Sequence, residues 1–255
     1  MKKDIFDEII EHLQELQKQN KTTFIAPEVL NEFFSDAQTA PVPESTPSPA
    51  PIQAPVSTSI LNKTIDTSFA SMSLEELNST AQNCNKCPLC KERKTVVFGE
   101  GSPNADLMFI GEGPGYDEDQ QGRPFVGKPG ELLTKMINAM QFSREQVYIS
   151  NIVKCRPPKN RNPLPEEATA CLPYLQRQIE LIQPKIIVIL GAVPLKYLLN
   201  KVGIMRMRGQ WNSYNGIKVM PTFHPAYLLR DPKAKREVWS DLQQVMQLFG
   251  KAHKK

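Results

Sequence analysis

From residue 106 onward, short apolar runs take turns with longer amphipathic ones. DLMFIG (106–111) has the length and make-up of a buried strand, ELLTKMINAM of a helix and VYISNIV of a strand. A long helical stretch follows over Pro165–Ile182, then KIIVILG, the most apolar run in the chain. A helix at residues 194–199, the strand IKVMPTF (217–223) and a closing helix at 231–249 complete the series. Parallel neighbours need a crossover, which a helix supplies, so strict alternation predicts an α/β fold with four parallel strands covered on both faces. Such sheets bind ligands outside the carboxyl ends of their strands. The loops there begin GEGPG, NIVKC, GAVPL and HPAYLLR.

The segment ahead of this core is of another kind. Residues 40–55, APVPESTPSPAPIQAP, hold six prolines and almost no charge, so they read as an extended linker. Before it, Ile5, Phe6, Ile9, Ile10, Leu13 and Leu16 recur at helical spacing. The expected division is a flexible helical N-terminal arm (1–39), a Pro-rich linker (40–70) and a folded domain (71–250). Either the arm packs on itself as a helical hairpin or it docks a protein partner.

Charge follows the same division. Of a net +4, residues 1–70 carry −5 and the remainder +9. A basic folded part suits a phosphate-rich partner. No apolar run nears the ~20 residues of a membrane span, and MKKDIFDEII lacks the apolar centre of a signal peptide. The expectation is a cytoplasmic protein whose five cysteines stay reduced and serve as ligands rather than disulfides. Three of them, Cys84, Cys87 and Cys90, form CNKCPLC, while Cys155 and Cys171 lie far downstream. Thiolates three apart close on one metal centre and two distant ones complete a four-sulfur site, with zinc and iron–sulfur both open.

Two nucleotide motifs fail on inspection. GRPFVGK (122–128) has P-loop spacing, but Pro129 stands where a magnesium-binding hydroxyl belongs, and the match starts well beyond the strand end. Tyr116 occupies the last glycine position of GxGxxG.

Together, GEGPG, GRPFVGK, NIVKCRPP, a second cysteine sixteen residues later and FHPAYLL resemble the family 4 uracil-DNA glycosylases over residues 75–250. The resemblance implies a three-layer αβα sandwich, excision of uracil from single- or double-stranded DNA by a monomer, and a 4Fe-4S cluster. It implies as cluster ligands Cys84, Cys87, Cys155 and Cys171, with Cys90 spare. Cys87 and Cys90 have the same internal spacing as Cys84 and Cys87 and stand as the alternative proximal pair.

Base excision requires flipping the nucleotide out of the stack and reading it in a pocket. Phe125 offers a stacking face, and the Asn151 amide matches the N3 donor and O4 acceptor of uracil. His224 offers an N–H for charge developing on O2 as the base leaves. Breaking the bond leaves positive character on the sugar, which a carboxylate stabilises, or the carboxylate positions water. Glu112, directly after its strand, is the first candidate and Glu118 the second, with Gly113 giving close approach to the base. Asp117 and Asp119 read as solvated or capping. Leu228 and Tyr227 are candidates for a wedge into the vacated gap. Arg206, Arg208 and Arg156, with Lys154, Lys159 and Arg161, are candidates for backbone phosphates. Other readings are a metal-stabilised nucleic-acid binding module without catalysis and an interaction protein built around its arm.

Overall fold

The computed structural model describes Glu8, Glu11 and Glu15, each helical, and residues 69–251. The rest of the expected arm and nearly all of the linker lie outside the described residues. In chain order the elements are α1 (Leu74–Gln82), β1 (Glu100–Gly101), β2 (Leu107–Gly111), α2 (Tyr116–Gln121), α3 (Lys128–Ala139), β3 (Tyr148–Asn151) and α4 (Pro165–Ile182). Then follow β4 (Ile186–Leu190), α5 (Ala192–Leu199), α6 (Ile204–Met207), β5 (Asn212–Tyr214), β6 (Ile217–Thr222), α7 (Pro225–Arg230) and α8 (Lys235–Leu248).

The strands form one sheet in the order β1-β3-β2-β4-β6-β5. Its four central strands are parallel, as the alternation predicts. The sheet nevertheless has six strands, because β1 and β5 add antiparallel edges. These edges are two and three residues long, and Glu100, Asn212 and Ser213 give them no apolar alternation to read.

Side-chain alternation sorts the buried strands onto two cores. Leu107, Phe109, Val188, Leu190 and Met220 face α3 and α8, where Leu133, Ile137, Val238 and Leu242 cover them. Met108, Ile110, Ile187, Ile189 and Val219 face the other way onto Leu77 of α1, Leu175 and Ile179 of α4 and Leu195 of α5. Every residue of β2 and β4 is buried, hence the unbroken apolar runs. Each such side chain contributes about 1.5–3 kcal/mol by leaving water. The result is a three-layer αβα sandwich. Phe69, inside the stretch read as linker, belongs to it: the side chain is buried, its ring centroid 4.5 Å from that of Tyr174.

Register brings the strand ends level. Gly111 pairs with Asn151, and Leu190 with Thr222, so the loops after β2, β3, β4 and β6 open on one edge. The chain leaves β2 for β3 on one side and then crosses to β4 on the other, which opens a crevice at the end of β2.

Candidate active site

A cavity of about 420 Å³ occupies that crevice, and Glu112, Gly113, Phe125, Asn151, His224 and Tyr227 all line it. Residues brought together from four separate stretches thus share one wall. Asn151 closes β3 and is 1% exposed, and its Oδ1 has no hydrogen-bond partner. A buried acceptor left unpaired costs about 1–3 kcal/mol, a loss that a ligand donating to it would recover. Gly111 is what lets Asn151 and Phe125 meet: a Cβ there would come within 2.5 Å of both Asn151 Oδ1 and Phe125 Cζ. Gly113 also lines the cavity, and Val153 fills the space its side chain would take.

His224 is the N-cap of α7, and its Nδ1 accepts the Ala226 N–H at 3.1 Å. The proton of the neutral ring therefore sits on Nε2. Burial, helped by the nearby Arg230 charge, pushes the imidazole down to about 4, so it is neutral at physiological pH. Its ring stands 5.6 Å from Phe125, centroid to centroid. Glu112 has the opposite response: burial raises its carboxyl above the ordinary range, and its carboxylate has no hydrogen bond or ion pair among the described residues.

The other three acids of the loop behave differently. Glu118 lines the cavity, but its carboxylate is occupied by backbone, accepting N–H bonds from Gly115 (3.0 Å), Val126 (3.0 Å) and Gly127 (3.1 Å). That ties the loop after β2 to the loop carrying Phe125 and leaves Glu118 a brace rather than a free catalytic group. Asp119, read as solvated or capping, is buried and accepts from the Lys94 and Thr95 amides. Asp117 lines the cavity.

Several basic and apolar candidates sit elsewhere than expected. Leu228 is fully buried in the core under α7 and has no surface to wedge with, whereas Leu229 beside it is 45% exposed. Tyr227 lines the cavity mouth, half-buried, its hydroxyl donating to Asp231. Arg208 is engaged by Asp241 and the Glu237 carbonyl and lies against the Phe223 ring, so its charge is spent inside the protein. Lys154 is wholly buried. Its Nζ donates to Ser150 Oγ, the Asn151 carbonyl and Gln178 Oε1, and desolvation pulls its pKa down to about 7. Arg206 is exposed on α6, and Arg156 stacks over the exposed Tyr116 ring at the cavity mouth. Arg161 reaches back to Glu167 at 2.7 Å, fixing the loop that forms the outer wall.

All five cysteines are free thiols lining a second pocket, shared with Lys86, Arg93 and Lys154. Burial pushes the thiols of Cys155 and Cys171 up to about 11 and about 12, so neither ionises unless a cation or metal takes up its charge. Partners for such charge are in place: Arg93 Nη1 donates to Cys155 Sγ at 3.2 Å, and the Lys154 amide to Cys171 Sγ at 3.3 Å. Cys84 and Cys87 pack against the same core cluster as Cys155 and Cys171, and Cys90 does not. Among the described residues, no three His, Cys, Asp or Glu side chains converge closely enough to hold a single ion. A cubane asks something else, since each of its thiolates binds a different iron, and the donor set fits that group.

Comparison with known proteins agrees with this geometry. The Uracil DNA glycosylase superfamily profile matches residues 98–243. A type-4 uracil-DNA glycosylase of Sulfurisphaera tokodaii is 46% identical over 186 residues, 69% of this chain and 84% of that protein. One from Thermotoga maritima is 45% identical over 183 residues, covering 70% and 95%. A type-5 uracil-DNA glycosylase of Pyrobaculum aerophilum is more distant, at 29% over 180 residues, 57% of this chain and 79% of that one. With its parallel αβα core, its pocket at the strand ends and these relatives, the chain belongs to the uracil DNA glycosylase superfamily and, within it, to the type-4 uracil-DNA glycosylases.

Proposed function

We propose that the chain excises uracil from DNA, flipping the nucleotide into the cavity after β2 and hydrolysing its N-glycosidic bond to leave an abasic site in base excision repair. The observation that carries this reading is the buried, unpartnered Oδ1 of Asn151 at the cavity wall. It accepts from uracil N3, while the amide nitrogen donates to O4. Cytosine presents an acceptor at N3 and a donor at the 4-position, leaving both ends mismatched. Phe125 stacks on the base, worth about 1–3 kcal/mol. The neutral His224 donates from Nε2 to O2 as the base departs with negative charge. Glu112, desolvated and unpaired, ionises to stabilise the positive sugar or to orient the attacking water.

Leu229 is the wedge that fills the gap left by the flipped base, with Tyr227 supporting it. Arg156 and Arg206 contact backbone phosphates. Cys84, Cys87, Cys155 and Cys171 would hold a 4Fe-4S cluster, which would tie the 84–93 segment, the loop after β3 and α4 together. The enzyme acts as a cytoplasmic monomer, and its N-terminal arm is a candidate site for a protein partner. Among the described residues no helix is long and apolar enough to cross a membrane.

The test is incubation of purified protein with a uracil-containing oligonucleotide, followed by alkali to cleave abasic sites. Cleavage at the uracil and none in the matched cytosine strand is expected. Binding without cleavage would favour the non-catalytic module.

A further inference from the structure

Phe125 holds an unusual backbone conformation for a bulky residue, with φ at +52°. Left-handed geometry with a side chain is strained and persists only where surrounding structure over-determines it. The backbone there is closely packed against α3: a Cβ on Gly130 would lie 2.0 Å from the Phe125 carbonyl carbon and oxygen. Hydrogen bonds then fix the segment from both sides. Glu118 takes the Val126 and Gly127 amides. From the opposite side, Arg144 Nη1 donates to the Phe125 carbonyl at 3.1 Å and Nη2 to the Pro124 carbonyl at 2.8 Å. Arg144 is itself held by Glu100 on β1, through Nε at 2.9 Å, and by Thr134 Oγ1 on α3 at 3.0 Å.

Arg144 is absent from the cavity lining and its side chain is only 14% exposed, so neither base nor phosphate is its partner. A guanidinium buried against two carbonyls has a geometric task instead. Its fork bridges successive peptide oxygens, which a single ammonium does less well.

We infer that Arg144 is a positioning residue for base recognition: by clamping the Pro124 and Phe125 carbonyls it holds the Phe125 ring in its stacking pose, and Glu100 holds Arg144. This rests on the reading of Phe125 as the face on which uracil stacks. Stacking acts on the bound base before and during bond breaking, so its loss raises KM while leaving kcat largely intact.

A double-mutant cycle on a short single-stranded uracil oligonucleotide tests it, using the parent, Arg144→Met, Phe125→Ala and the pair. Arg144→Met is expected to lower kcat/KM about tenfold, mainly through KM, by analogy with the value of one stacked base. In the Phe125→Ala background the same change should cost less than about twofold. Equal losses in both backgrounds would overturn the inference, because Arg144 would then act through something other than the ring. So would a parent-like Arg144→Met enzyme. If Phe125→Ala alone had no effect, the stacking reading would fall and the inference with it, a pattern distinct from equal losses. Should melting show Arg144→Met unfolded, Arg144→Lys replaces it in the cycle. It should show a smaller loss that again disappears without the ring, and a loss that persists there would overturn the proposal.

Discussion

Burial drives Glu112 and His224 of the pocket toward their neutral forms, raising the pKa of the first and lowering that of the second. The Glu112 carboxyl is raised, so it takes up a proton as pH falls while ordinary carboxylates are still ionised. His224 is lowered to about 4 and stays neutral over the same range. On the proposed role of Glu112, the acid limb of kcat against pH should belong to it and lie above the ordinary carboxylate range. Glu112→Gln should remove that limb and cut kcat by about 10²–10³; an unchanged limb in the variant would assign it elsewhere. For stability the sign runs through His224. Its folded-state pKa lies below the usual 6.5, so its contribution is complete above pH 6.5 and is lost as pH falls through about 4. Pocket residues at or just beyond strand ends, such as Glu112, Asn151 and His224, were legible in the sequence because alternation locates those ends. Arg144 was not legible, since the groups it clamps are main-chain carbonyls some twenty residues away, which carry no side-chain signature, and Glu100, which holds it, lies forty-four residues upstream.

Helix α7 shows how one position of phase changes a role. HPAYLLR places two leucines side by side, and sequence alone does not say which faces the core. Leu228 does, with Val238 and Leu242, and Leu229 faces solvent. Leu228→Ala should lower stability by about 2–5 kcal/mol, as core truncations do, read by denaturant melts. Leu229→Ala should melt like the parent yet excise uracil more slowly from duplex than from single strands, because only the duplex has a gap to fill. A Leu229→Ala enzyme with equal losses on both substrates would return the wedge to another residue. Basic residues were misread for a related reason. Arg208 and Lys154 look like surface cations in the sequence, but Asp241 closes over the first, and Ser150 and Gln178 enclose the second. Long-range partners decide such cases, and spacing along the chain does not contain them.

At the scale of the molecule, the folded unit begins before residue 71. A chain starting at residue 66 keeps Phe69 against Tyr174 and should excise uracil within about tenfold of full length, roughly 1.4 kcal/mol of barrier. Starting at residue 71 it should melt lower, by the ~3–5 kcal/mol typical of a lost buried aromatic. The proposed cysteine ligation also acts at this scale. Purified anaerobically, the protein should be brown with about four irons per chain. Cys155→Ala should lose the colour while Cys90→Ala keeps it, and stoichiometric zinc would contradict the cluster. The proposal that unites pocket, sheet and family is that one edge of the fold reads uracil, with Asn151 as the reader. Single-turnover excision on matched uracil and cytosine oligonucleotides, comparing the parent with Asn151→Asp, bears on that most directly. The parent should act on uracil alone, and the Asp variant, with its amide donor replaced by an acceptor, should lose uracil excision by ~10² or more. An Asp variant that removed uracil at the parent rate would contradict the account.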